Sequence, residues 1–120
     1  MQNIENYDIL VFCVPHHLTL ICEGAFLFFN QLKKVVIPIN SELNKIEHGS
    51  FSDASITSIF ILPKITILGE NAFSKCEKLQ IVEFDENSKL QHISQELFSD
   101  SINAILMIPV NLNDRIDANP

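Results

Sequence analysis

The sequence predicts a solenoid, a chain wound into stacked coils that are each built around a short β-strand. Two regularities predict this fold. An apolar triplet with the spacing L-x-x-V-x-I recurs five times in the 120 residues, and its first members are 23, 24, 23 and 23 residues apart. A phenylalanine recurs at a fixed place in four of these units. Such periodicity is typical of repeat proteins, in which each unit buries its apolar face against its neighbours.

The apolar triplets predict the strands. Within each triplet the last two members alternate around one residue, which is the period of a strand with one buried face. A proline follows four of the triplets, and because proline cannot donate to a strand ladder, each strand is predicted to end there. The triplets are Ile9/Phe12/Val14, Leu32/Val35/Ile37, Ile56/Ile59/Ile61, Leu79/Val82/Phe84 and Ile102/Ile105/Met107, and the prolines are Pro15, Pro38, Pro63 and Pro109.

The second half of each unit predicts a corner. A second apolar pair is followed five residues later by Phe26, Phe51, Phe73 or Phe98, which we expect to stack as a core ladder rather than form an aromatic ligand box. Two residues before each phenylalanine stand Gly24, Gly49, Asn71 and Glu96. Glycine and asparagine tolerate the positive φ of a sharp corner, so the fourth unit departs from the pattern. The segments Asn40 to Leu43 and Asn87 to Leu90 lengthen two turns and are expected to be exposed.

Composition limits the class of protein. The chain has 47% hydrophobic and 19% charged residues, which predicts a folded core and a single block over residues 1–120. A formal charge of -7 argues against nucleic acid and anionic membrane surfaces as partners. The apolar run from Ile9 to Val14 is too short for a signal-peptide core or a membrane span, so we expect no membrane insertion.

The cysteines, histidines and acidic residues do not match a catalytic or metal-binding motif. Cys13, Cys22 and Cys76 are an odd number without C-x-x-C spacing, so reduced thiols are predicted. Cys13 with His16 or His17 lacks an orienting acid for a thiol nucleophile. Glu23, His48 and Glu70 fall at equivalent places in three coils, but a solvated charged edge explains them better than a metal patch. The prediction is a non-enzyme without cofactor or metal.

The unit from Ile65 to Phe84, I-x-x-L-G-x-N-A-F-x-x-C-x-x-L-x-x-V-x-F, resembles the BspA-type or Treponema pallidum-type leucine-rich repeat. The resemblance covers roughly residues 9–109 and includes Cys76 at the family's cysteine position, where other units carry Phe29, Ala54 and Ser101. It implies an α/β-class, right-handed leucine-rich-repeat solenoid of about four and a half coils of 22–25 residues, with a parallel sheet on the concave side. Residues 1–8 and 110–120 are then polar ends or partial caps.

The resemblance also implies a protein-binding role. Relatives are often surface-associated and linked to adhesion or host-protein binding. The third and fifth residues of each six-residue L-x-x-V-x-I motif should face outward from the concave sheet and form a partner surface centred on Phe60. They are Val11, Cys13, Lys34, Val36, Ser58, Phe60, Ile81, Glu83, Ala104 and Leu106. Self-association or no specific role are the alternatives for this face.

The size of that face and the location of the protein bear on its role. A five-strand sheet has a projected area of about 400 Å², roughly half of what one partner contributes to a standard interface. An intracellular scaffold or regulatory protein is the alternative function, favoured by the absence of N-x-S/T sequons and by the unpaired cysteines. The family resemblance suggests the cell surface, whereas the lack of a signal peptide in this chain suggests the cytoplasm.

Overall fold

The computed structural model describes residues 10–116, which form a parallel β-solenoid of about four turns. Helix in this part of the chain is confined to two 3-10 segments, Gln95–Phe98 and Val110–Arg115. The coils are therefore built from strands and turns. The strands are β1 Leu10–Cys13, β2 Leu20–Ile21, β3 Leu32–Val36, β4 Lys45–Ile46, β5 Ser58–Ile61, β6 Ile67–Leu68, β7 Ile81–Phe84 and β8 Ile105–Met107.

The strands predicted from the triplets stack side by side in parallel. Strand β1 pairs with β3, and β5, β7 and β8 form a three-stranded sheet. The two sheets are joined where the Thr57 backbone N–H donates to the Lys33 carbonyl at 3.2 Å. This confirms the predicted parallel sheet, although Ile9 of the first triplet lies outside the described residues. The second apolar pairs form a further parallel sheet, β2-β4-β6.

The phenylalanine ladder is confirmed. Phe26, Phe51, Phe73 and Phe98 stack in order, with ring centroids 5.1, 5.5 and 5.7 Å apart and planes within 14° of parallel. Phe51 and Phe73 are completely buried. The aromatic side chains therefore form a continuous column through the core, and their rings are not arranged around a ligand cavity.

The backbone conformation of the corner before each phenylalanine matches the residue type found there. Gly24, Gly49 and Asn71 have φ values of 65°, 64° and 59°, as a left-handed corner requires. The fourth coil has Glu96 there and turns instead through the 3-10 helix Gln95–Phe98, whose N-cap Ser94 accepts the Glu96 N–H at 3.1 Å. The departure noted in the sequence is thus a change of corner type.

Neighbouring coils approach closely at Gly69. Its N–H donates to the Ile46 carbonyl at 2.7 Å. A Cβ added at Gly69 would lie 2.4 Å from the His48 backbone nitrogen, a distance that real Cβ atoms do not show. Glycine is therefore required here by the backbone of the preceding coil.

The two lengthened turns are only partly exposed. Ser41 and Ser88 are buried, and the Oγ of each accepts the N–H of the leucine two residues on, Leu43 at 3.0 Å and Leu90 at 3.2 Å. Both leucines are buried, so the expectation of exposed turns is wrong for half of each segment. The serine caps the turn from inside while the leucine returns the chain to the core.

The register of the fifth triplet is a correction to the sequence prediction. Ile102 is 84% exposed and Ile105 is 64% exposed, so neither is a core residue. Ala104 instead takes the place of Leu79, because its N–H donates to the Ser101 carbonyl as the Leu79 N–H donates to that of Cys76, both at 3.2 Å. In the strand pairing Ile81 lies beside Ile105, 24 residues on, so the last strand is displaced by one residue from the assumed 23-residue period.

The coil continues past the fifth strand. Leu112, in the 3-10 helix Val110–Arg115, is fully buried, and Ile116 forms a parallel bridge with Ile93. The Arg115 guanidinium donates to the carbonyls of Ser88 and Leu90 at 3.2 and 2.9 Å. Residues 110–116 thus pack against the fourth coil.

Candidate functional site

The candidate site is the outward side of the triplet strands β1, β3, β5, β7 and β8, which is the apolar surface predicted from the sequence. We call it the strand face. Phe60 lies near its centre and keeps 40% of its surface exposed, with Val36 exposed to a similar degree. Only Lys34 and Glu83 carry charge on this face. Its members are Val11, Cys13, Lys34, Val36, Ser58, Phe60, Ile81, Glu83, Ile105 and Met107.

Two residues expected on this face lie on the other side of strand β8. Ala104 packs against the core, and Leu106 pairs with the buried Val82, which places it on the inward side by register. Leu106 still keeps 38% of its surface exposed, because β8 is the last strand of its sheet, and it also lines the depression described below. Ile105 and Met107, which pair with Ile81 and Glu83, occupy the outward positions instead. The reason is the longer last coil, which shifts the register by one residue and exchanges the two faces of the strand.

Strand pairing places unlike side chains next to one another on the face. The residue beside Phe60 on β7 is Glu83, and the residue beside Glu83 on β8 is Met107. Ser58, Ile81 and Ile105 form the neighbouring row. The apolar surface around Phe60 is therefore interrupted by one carboxylate.

An open depression of about 580 Å³ lies at the carboxyl ends of β5, β7 and β8. Its lining combines large apolar side chains with three acidic ones. Residues from the turns after β7 and β8 complete it. The lining residues are Phe60, Glu83, Phe84, Asp85, Glu86, Leu106, Met107, Ile108 and Pro109.

The sequence prediction included Phe60 and Glu83 in its partner surface but missed the acidic residues of the turn. Asp85 and Glu86 lie in the turn, outside the strand period that was used to find outward positions. A signal was present in the sequence, since Asp85 stands in the turn where the four other units carry a proline after the strand. The exchange of proline for an acid is what gives this turn its charge.

The carboxylates of the rim face little positive charge. The Asp85 Oδ1 accepts the Asn87 N–H at 2.7 Å, which fixes the turn, while Glu83 and Glu86 are exposed. The one salt bridge within residues 10–116 joins Lys45 and Glu47 at 3.3 Å, away from this site. The depression is therefore a region of uncompensated negative charge over an apolar floor.

A second depression of about 510 Å³ runs along the corners of the coils, lined by small and polar residues that include Gly24, Ser52 and Ser74. Glu23 and His48 both line it, as the stacking of coils predicted, whereas Glu70 does not. Within residues 10–116 no three His, Cys, Asp or Glu residues are grouped closely enough to hold a metal ion. The lining favours a polar groove and gives no metal geometry.

The three cysteines lie in different surroundings. Cys13 and Cys22 are exposed and free, and Cys76 is buried and free. Burial raises the pKa of the Cys76 thiol to about 11, so this group stays protonated near neutral pH. Its Sγ–H donates to the Phe51 carbonyl at 3.1 Å, which makes it a packing residue that links two coils. The rings of His16 and His17 contact each other edge to face, with their centroids 5.5 Å apart.

The chain belongs to the BspA-type leucine-rich-repeat family. The family model matches residues 4–118 in six copies. Leucine-rich repeats of this kind are generally non-catalytic modules that mediate contacts between proteins. Among residues 10–116, no helix has the length and apolar character needed to cross a membrane.

Two solved structures are similar to the chain. One is a leucine-rich cell surface protein from Faecalibacterium prausnitzii, with 29% identity, a TM-score of 0.60, and coverage of 66% of this chain. The chain spans only 20% of that protein's length. The other is a leucine-rich repeat protein from Bacteroides ovatus, with 19% identity and a TM-score of 0.44, covering 82% of this chain and 37% of the other. No curated protein matches the chain.

Proposed function

We propose that the chain is a non-catalytic protein-interaction module that binds its partner through the strand face. The observation that carries this proposal is the apolar character of that face. Seven of its ten members are Val, Ile, Met, Phe or Cys, although their side chains point away from the core. Contiguous exposed apolar surface usually marks an interaction site, and aromatic residues such as Phe60 anchor such contacts.

The size of the face limits the affinity. Five strands give a projected area of about 400 Å², roughly half of one partner's share of a standard interface. The neighbouring depression at the ends of β5, β7 and β8 extends the contact area beyond the strands. A partner that uses both surfaces buries more area than the strands alone provide.

Surface association is the setting we favour for this module. It is supported by the similarity to the cell surface protein of F. prausnitzii, which shares the fold at 29% identity. Adhesion or host-protein binding is the finer role proposed on this basis.

An intracellular scaffold is the second candidate function, and the thiols favour it. Cys13 and Cys22 are exposed without a disulfide partner within the described residues. Exposed free thiols persist more readily in a reducing compartment. Fractionation of the native cells, together with thiol titration of the native protein, distinguishes the two settings. Three free thiols in a cytosolic fraction favour the scaffold, and an external pool favours surface association.

The use of the strand face is tested with two double variants of equal charge. Phe60→Glu/Val36→Glu places two carboxylates on the face, while Ile39→Glu/Ile102→Glu places them on residues that are more than 80% exposed elsewhere. Each protein is immobilised, and proteins retained from the native environment are quantified by mass spectrometry. We expect a reproducible set of proteins to be lost only from the first variant.

Folding of the variants is checked by thermal unfolding, and a milder Phe60→Gln variant replaces the first if its folded state is lost. Each retained protein is then purified and its affinity for the parent chain is measured directly. Equal binding to the parent and to both double variants would remove the strand face as the interaction surface.

A further inference from the structure

The floor of the depression at the ends of β5, β7 and β8 is an apolar contact surface. Phe60, Leu106 and Met107 all line it, and each keeps more than a third of its surface exposed. Phe60 comes from β5, and Leu106 and Met107 come from the last strand. Side chains from two separate coils therefore converge on one open hollow of about 580 Å³.

Acidic groups border this floor and basic groups do not. Glu83 lies between Phe60 and Met107 in the strand pairing, and Asp85 and Glu86 follow in the turn. No Lys, Arg or His is among the described residues that line the hollow. An uncharged apolar occupant would strip water from these carboxylates without replacing it, which is unfavourable.

From this combination we infer that the hollow binds a polypeptide segment in which a large apolar side chain is flanked by lysine or arginine. This inference rests on the proposed function, because it names the partner chemistry for one part of the same surface. The apolar side chain covers Phe60, Leu106 and Met107, and the flanking cations pair with Glu83 and Glu86. Charge complementarity of this kind sets specificity and the rate of association.

The size of the hollow is suited to a short segment. Pockets of about 300–1,000 Å³ hold a few side chains or a small ligand. A segment that brings one or two large apolar residues fills the space, whereas the surface of a folded domain meets the hollow only through such a protruding segment. The open shape also leaves room for the basic flanks to reach the exposed rim.

The test uses three fluorescein-labelled peptides and fluorescence anisotropy at low salt. The probe is Gly-Lys-Phe-Arg-Leu-Lys-Gly. One comparison peptide replaces its Phe and Leu with Ala, and the other replaces its Lys and Arg with Glu. We expect the parent chain to bind the probe with a dissociation constant between about 10 μM and 1 mM, and each comparison peptide at least about 5-fold more weakly.

A matched pair of variants separates the rim from the general charge of the chain. Glu83→Gln/Glu86→Gln removes two rim carboxylates, and Glu70→Gln/Glu77→Gln removes two exposed carboxylates that do not line the hollow. The rim variant should weaken probe binding about 3- to 10-fold. The other variant should leave it within about 2-fold, because screening limits distant charges.

Some outcomes overturn the inference. They are no probe binding at 1 mM, equal binding of the Ala peptide, or equal weakening by the two carboxylate variants. The proposed function is tested separately, by the effect of Phe60→Glu/Val36→Glu on capture of the native partner. If the three peptides bind equally but Phe60→Glu/Val36→Glu still reduces capture of the native partner, only the inference of a basic and apolar segment is refuted. The proposed function then stands.

Discussion

At the scale of single residues, the coils share a left-handed position that the residue types do not reveal. It lies two residues after each ladder phenylalanine and is occupied by Phe28, Asp53, Lys75 and Asp100, with φ between 56° and 63°. The N–H groups of Phe28, Asp53 and Lys75 each donate to the next coil, the first to the Ser52 carbonyl at 2.9 Å. The rung-to-rung bond requires this backbone shape, whatever the side chain is.

Phe28 is the least suited occupant of that position. It is 68% exposed, so its ring gains little from burial, and a bulky residue with positive φ is strained. Replacing Phe28 with Asn, which tolerates this conformation, should stabilise the fold by about 1 kcal/mol. Urea unfolding monitored by circular dichroism measures the change.

The neighbouring substitution Leu27→Asn serves as the control for Phe28→Asn. Leu27 is also an exposed apolar residue, but its φ is not positive. It should therefore show no gain in stability. If both variants gain the same unfolding free energy, the gain comes from removing exposed apolar surface. That result would contradict backbone strain at Phe28.

The left-handed corners show how far residue types predict local structure. Gly24, Gly49 and Asn71 indicate their own positive φ, because these residue types are enriched in that conformation. Phe28 and Lys75 adopt it because hydrogen bonds to the neighbouring coil impose it, and this information is absent from the local sequence. Tertiary contacts therefore decide two of the seven left-handed positions within residues 10–116.

At the scale of elements, strand β8 shows why register is harder to predict than the strand itself. The segment Ala104 to Ile108 is apolar at every position, so alternation cannot distinguish its two faces. In strand β7 the alternation of Glu83 with buried Val82 and Phe84 is clear, and the outward residues there were predicted correctly. The error at β8 arose because a constant repeat length was assumed where the pattern gave no check.

The corrected register of β8 predicts a difference between two adjacent aspartate substitutions. Leu106→Asp places a charge on the inward side beside Val82 and should cost about 1–3 kcal/mol of unfolding free energy. Ile105→Asp changes an outward residue and should cost less than about 0.5 kcal/mol. Chemical denaturation of the two variants measures both values, and the reverse order would restore the register expected from the 23-residue period.

The depression could be predicted only in part from its elements. Phe60 and Glu83 follow from the strand period, and each was assigned to the outward face. The site also needs the turn after β7 and the last strand, which the stacking of the coils brings beside β5. Such proximity depends on how the coils stack, and the residue pattern within one unit gives no information on that.

At the scale of the whole molecule, coil-to-coil bonds and the aromatic ladder join the units into one core. The Ser101 hydroxyl donates to the Phe73 carbonyl at 2.6 Å, in the same way that the Cys76 thiol donates to Phe51. The buried apolar residues form a single cluster that extends from Val14 to Leu112. We therefore expect the described coils to unfold together.

Truncation of the ladder tests this cooperativity. Phe73 is fully buried between Phe51 and Phe98, so Phe73→Ala should cost about 3–5 kcal/mol and lower the melting temperature by about 10–20 °C in a single transition. Phe98→Ala should cost less, because that ring is half-buried and has one ladder partner. A melting curve of Phe73→Ala that matches the parent would contradict the ladder as a source of stability.

The serine-capped turns at Ser41 and Ser88 make the solenoid suitable for modular engineering. Each turn adds length to its coil, yet the capping serine and the buried leucine return the chain to the same path. The exposed residue between them, Glu42 or Lys89, is free to change. Peptide epitopes grafted at these two places should be displayed along the same edge of the molecule, two coils apart, without disturbing the stack.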